Sequence, residues 1–220
     1  EEAREPASRA VTAFVEHLKA LREGATEDFA IGADKLLSLL RYSDMVDLPL
    51  ARLLEVGMED LARNRARFRH VAAEIDPTRS PAQVMADIAT DHPKTESLID
   101  EARDMLEKIR RFLIDHDIVT VPSEDRCQTT ETPSFIRWAF AAMDTPGPFE
   151  TRATEAYYYV TPVEDEWTDQ QKEEWLTSFN YAALQSISIH EVYPGHYVHY
   201  LHTRNVPSKI SLVFGAYSFW

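Results

Sequence analysis

Apolar residues recur at helical spacing through most of the chain. Val11, Phe14, Val15, Leu18 and Leu21 share one face of a helix predicted over 8–24, with Ser8 as its cap. Leu36, Leu37, Leu39 and Leu40 predict a second over 33–42. Pro49, suited to a first helical position, opens a third that runs to Ile75. Its stripe is Leu50, Leu53, Leu54, Met58, Leu61, Phe68, Ala72 and Ile75, and its other face carries Arg63, Arg65, Arg67 and Arg69. Ser80 and Pro81 start a short helix to Thr90, and Asp91, His92 and Pro93 break it. Leu98, Ala102, Met105, Leu106, Ile109, Phe112 and Leu113 then mark an amphipathic helix over 95–116.

The period changes between 118 and 162. Thr, Pro, Tyr and Val predict strands at Ile118–Val121 and Ala153–Val160, with Phe135–Phe140 a weaker candidate. Helical spacing resumes at Thr168, where Gln171 completes a capping box. Asn180 or Ser178 ends that helix, 181–204 is helical around one break, and Pro207 and Ser208 start a last helix. The expected fold class is mainly α (α+β), one domain over 1–220. It comprises a helical part (1–117), a small sheet region (118–162) and motif-bearing helices (168–220).

Composition narrows the partners. Acidic residues number 37 against 23 basic, a net charge of -14, which opposes a nucleic-acid backbone or an anionic membrane as the main partner. The run Arg63, Arg65, Arg67 and Arg69 therefore reads as a solvated face. Cys127 is the single cysteine, so no internal disulfide forms and a cytoplasmic location is expected. No apolar run reaches the length of a membrane span. A first residue other than Met and an apolar, uncapped end at Trp220 predict a piece of a longer protein. Oligomeric state leaves no mark.

The candidate chemistry lies at Ser188-Ile189-His190-Glu191-Val192-Tyr193-Pro194-Gly195-His196. Two imidazoles and a carboxylate beside the first are the smallest recipe for a hydrolytic zinc site. The plain motif needs its second His four residues on, where Pro194 stands. Six residues of unbroken helix turn through about 240°, which would separate His190 from His196. Pro194 cannot donate to the His190 carbonyl and its ring clashes there, while Gly195 tolerates backbone that other residues resist. Omitting both leaves His-Glu-Val-Tyr-His, so a two-residue bulge would restore the zinc spacing. His190 and His196 are then the expected ligands, at ring separations of about 3–4 Å, and Glu191 the general base. Apolar Ile187, Ile189 and Val198 are expected to dry the site. His196 with His199, or His199 with His202, offers a rival ligand set by i,i+3 spacing; otherwise His199 is a supporting hydrogen-bonding residue and His202 complements its helix C-terminus.

His190 through His196 resembles the His-Glu-x-x-Pro-Gly-His hallmark of the bacterial family called domain of unknown function 885. That family is itself similar to helical zinc metallopeptidases. Glu131-Thr132-Pro133-Ser134-Phe135, the turn at Pro148-Phe149-Glu150, Ala156-Tyr157-Tyr158 and the helix over 180–189 extend the resemblance. It implies zinc as cofactor, with Tyr193, Pro194, Gly195 and His199 in supporting or structural roles. His199 departs from the family, which tends to carry Gln there. The resemblance also implies a third ligand, the Glu of a Glu-Gly-Trp-Ala segment. Phe214–Trp220 looks like the lead-in to it, which would leave this chain with an incomplete site, weak in metal and inactive alone.

The reading is a zinc-dependent metallohydrolase acting on a peptide or another small carbonyl substrate, with Ala153–Val160 as a strand that pairs with it. Two alternatives stand. One is hydrolysis of an ester or non-peptide amide at the same site. The other is a non-catalytic helical binding module in which the break is packing and the histidines are structural.

Overall fold

A computed structural model describes residues 3–22 and 24–214, with the side chain of Phe214 left aside. Contacts divide the chain into two compact units, 1–67 and 68–220, and the division falls inside a helix.

The first unit holds α1 (Arg4–Arg22), α2 (Ala33–Ser43) and the start of α3 (Leu50–Ile75). α1 begins ahead of Ser8, which lies inside it and caps nothing. The predicted apolar face of α1 is present as a face but is not buried: no residue of α1 or α2 is. In α3 only Ala72, beyond the division, is buried. Arg63 pairs with Asp60 at 2.8 Å on the exposed side of α3, as a solvated basic face would.

The second unit holds the core. α4 (Pro81–Ala89) is capped by Ser80 and Gln83, whose side chain and backbone bonds are reciprocal. α5 (Leu98–Asp115) buries Leu98, Ala102, Leu106, Ile109 and Leu113, all on one stripe. Three four-residue strands follow: β1 (Gln128–Glu131), β2 (Ala141–Asp144) and β3 (Tyr157–Val160). They form one sheet in the order β1-β3-β2, parallel between β1 and β3 and antiparallel between β2 and β3. Side chains of β3 alternate as expected. Tyr158 and Val160 face the core, and the rings of Tyr157 and Tyr159 stack on the other face at 5.7 Å.

Two strand expectations fail. Ile118–Val121 forms no strand; the Thr120 carbonyl accepts from the His202 ring instead. Phe135–Phe140 is a 3-10 turn (Ser134–Ile136) and a bend, with β2 starting just after it. Strand propensity acts only where a partner strand is in reach.

α6 (Asp169–Ser178) starts at the Thr168 and Gln171 box. α7 (Tyr181–Glu191) is capped by Asn180, whose side-chain oxygen accepts from Ala183 N–H at 3.1 Å. α8 (His196–Thr203) and α9 (Lys209–Phe214) complete the described residues. Leu184, Val192, Tyr193, Tyr197, Val198 and Leu201 join the α5 stripe and the inner face of the sheet in one cluster. The helix carrying the motif is therefore anchored on the best-packed part of the molecule.

Candidate metal centre

The motif occupies the end of α7, a short break, and the first residue of α8. Three buried residues of α7 and the break, Leu184, Ser188 and Val192, recur every four positions and face the core. This fixes the rotation of α7 and turns His190 outward. Ser188 is a polar residue in an apolar wall, and the Tyr158 hydroxyl meets its Oγ at 3.1 Å. Burial pushes the Tyr158 phenol well above its ordinary range, so it stays a neutral hydrogen-bonding group.

The backbone of the break explains the odd spacing. Gly195 N–H donates to the Ile189 carbonyl at 3.0 Å, and Val198 N–H to the Val192 carbonyl at 3.3 Å. Each closure spans six residues where a regular α-helix spans four. The excess of two residues is the size of the expected bulge. Regular pairing resumes at once, with His199 N–H on the Gly195 carbonyl at 3.1 Å.

Gly195 is required for a further reason beside the backbone freedom expected of it. Its backbone sits at φ -64° and ψ -140°, outside the strand and helix regions. A Cβ there would lie 1.5 Å from the His190 carbonyl oxygen and 2.7 Å from that of Ile189. Close backbone approach makes glycine the residue that fits. The Tyr193–Pro194 peptide is cis. Tyr193 is buried, 1% exposed, against Tyr197 at 5.9 Å between centroids; its role is core packing, and burial pushes its phenol upward too.

The result is a cluster. One ligand atom each from His190, Glu191 and His196 lies within 4.8 Å of the others, the one such group of three or more His, Cys, Asp or Glu among the described residues. The imidazoles are perpendicular, with centroids 4.8 Å apart. At its limit this spread is wider than the about 3–4 Å of ligands on one zinc ion. Glu191 is held in place by Met143 of β2, whose backbone N–H donates to its Oε2 at 2.9 Å. The sheet thus grips α7 twice, through Tyr158 and through Met143. The sequence reading missed both contacts; Ser188 amid apolar neighbours was the available signal for the first.

Other expectations divide. His199 lines a cavity of about 270 Å³ together with His196, Met143, Pro146, Tyr200 and Arg204. His202 is engaged by Thr120 at 2.9 Å rather than serving its helix end, and the rival set does not gather as a group of three. The site is open, not dried: His190 and Ile189 are exposed, and only Val198 of the three apolar neighbours is buried. β3 is the central strand with a neighbour on each side, so it cannot pair with a substrate. β2, the strand next to α7, is at the edge. The expected lead-in to a third ligand falls at 215–220, outside the described residues.

Comparison with known proteins places the chain. The model of a family described as bacterial protein of unknown function (DUF885) matches residues 1–218, and the chain belongs to that family. No curated protein matches it. A solved structure from Shewanella oneidensis, described as a candidate lipoprotein of unknown function, shares its fold at a TM-score of 0.75 and 23% identity. The match covers 96% of this chain and 40% of that one, so the chain spans two fifths of that protein's length. No described helix is long and apolar enough to cross a membrane.

Proposed function

With membership of the DUF885 family as premise, we propose that this chain carries the metal-binding half of a zinc-dependent peptidase. The observation that carries the reading is the six-residue closure, which gathers His190, Glu191 and His196 despite their spacing. The donor set suits zinc: two imidazoles and a nearby carboxylate. His190 and His196 would hold the ion. When bound, zinc polarises a water and the substrate carbonyl.

The chain's own residues do the rest. Glu191 accepts the proton of the attacking water and later delivers it to the leaving amine. Met143 N–H orients the carboxylate. Tyr158 and Ser188 fix the helix turn that presents it. A peptide is the favoured carbonyl substrate because β2 has a free edge beside Glu191, where an extended chain can add as a further strand.

The test is Glu191→Gln in the full-length protein, with peptide hydrolysis and metal content measured together. Turnover is expected to fall at least about 100-fold, as for loss of a general base, with zinc per protein unchanged. Unaltered turnover would remove Glu191 from the chemistry. Zinc analysis of the full-length protein tests whether the metal is held. On location, a lone buried cysteine supports the cytoplasm and the description of the Shewanella protein supports the cell envelope; fractionation decides.

A further inference from the structure

The cavity beside His196 has a chemical bias at odds with the whole chain. The protein carries 37 acidic residues, yet none of the described ones lines this cavity. Its polar lining is His196, His199, Tyr200, Thr203, Thr145 and Arg204, and its apolar lining is Met143, Pro146, Pro148 and Leu212. Arg204 sits at the C-terminal cap of α8, its guanidinium 5.6 Å from the centre of the Tyr200 ring. That placement holds the side chain by a cation–π contact, and a hydrogen bond with the Tyr200 hydroxyl takes one donor of its fork. Among the described residues no carboxylate lies within ion-pair distance of Arg204. Arg204 also lines a second cavity with Asp125 and Glu155, neither of them within ion-pair distance, while on the His196 side the pocket has no acidic lining and fits an anionic ligand group. Planar, bidentate pairing favours a carboxylate.

Position selects which carboxylate. Arg204 follows His196 by eight residues along α8, about 12 Å at helical rise. An extended peptide covers about 3.3–3.6 Å per residue, and the arginine side chain reaches back toward the site. We infer that Arg204 binds the free C-terminal carboxylate of a peptide whose scissile bond lies at His190, Glu191 and His196, with about two or three residues between. The cavity volume of about 270 Å³, at the small end of ligand pockets, suits so short a segment. The substrate class is thus peptides with an unblocked C-terminus, and the product is a short C-terminal peptide. This rests on the peptidase reading above. The step is hydrolysis: water oxygen bonds to the carbonyl carbon, the C–N bond breaks, and the proton taken by Glu191 passes to the leaving amine. No oxidant or reductant is involved.

The experiment compares one synthetic hexapeptide as free acid and as C-terminal amide, on the zinc-loaded full-length protein, wild type and Arg204→Ala. Trialanine and its amide are titrated calorimetrically against the metal-free protein in parallel. Wild type is expected to prefer the free acid by about 10–100-fold in kcat/KM, the size of a charge-assisted pair, mostly through KM. Arg204→Ala brings that ratio near one with kcat largely kept, and Arg204→Lys falls between. The metal-free protein binds trialanine better than its amide, and Arg204→Ala erases the difference. Equal hydrolysis of acid and amide by wild type, or an acid preference kept by Arg204→Ala, overturns the inference. The wild-type comparison needs no variant to fold. If neither hexapeptide is cleaved but acid-selective, Arg204-dependent binding is seen, the carboxylate site stands and the peptidase reading falls. If zinc-dependent cleavage ignores the terminus, the peptidase reading stands and the carboxylate site falls.

Discussion

α1 and α5 look alike as sequence and differ as structure. Each carries an apolar residue every three or four positions. In α5 the stripe Leu98, Ala102, Leu106, Ile109 and Leu113 is at most 7% exposed. In α1 the stripe Val11, Phe14, Val15, Leu18 and Leu21 is 41–63% exposed. Burying such a side chain contributes about 1.5–3 kcal/mol, so α5 is held by its packing. α1 rests on its length and on local pairs such as Arg9 with Glu5 and Lys19 with Glu16, both at 2.7 Å. Exposed pairs of this kind give at most a few tenths of a kcal/mol each. Periodicity thus specifies that a helix forms and which side is apolar. It does not say what covers that side.

The contrast also locates the candidate site. Its residues sit on α7 and α8, whose inner faces join the α5 cluster. A donor set must be held within fractions of an ångström, and only the packed unit offers that rigidity.

The sharpest way to break the comparison is Gly195→Ala. The added methyl meets the His190 carbonyl oxygen at 1.5 Å, so the backbone must move. Stability of the 68–220 unit is expected to fall by at least about 3 kcal/mol, the upper range for overpacking, with loss of zinc retention. Denaturant unfolding and amide exchange at Gly195 and Val198 read it. Full protection of those amides in the variant would refute the tight closure.

Next in size is Leu184→Ala, which empties a fully buried position on α7. Its cost is expected at about 2–5 kcal/mol, with the unfolding midpoint as readout and a shift under about 1 kcal/mol counting against it. The smallest effect sharpens the other side. Phe14→Ser on α1 is expected to change stability by no more than about 0.5 kcal/mol, because Phe14 is already 58% exposed. A cost comparable to Leu184→Ala would mean that the α1 face is covered in solution.

The helices were legible because their signals are local. Ser80 with Gln83, and Thr168 with Gln171, cap as their spacing predicts. The strands were less so. Gln128–Glu131 and Ala141–Asp144 are short and poor in strand-forming side chains; they are strands because β3 lies between them. Ile118–Val121 has the side chains but no partner strand among the described residues. Within the site, the pair His190 and His196 was legible through Pro194 and Gly195, which had to interrupt the helix. Met143 was not, because it lies 48 residues from Glu191 and acts through its backbone, which every residue shares.

The amino-acid order alone determined the helices, their apolar sides and the break in the motif, since capping, side-chain period and the lost N–H of Pro194 act within a few residues. Tertiary structure decided the rest. It determined which apolar faces are buried, which strands are edges, and what orients Glu191. It also supplied a further reason for Gly195, a carbonyl oxygen of the preceding helix brought against its Cα. Those depend on groups distant in the chain meeting at van der Waals or hydrogen-bond range, and local pattern carries no record of such meetings.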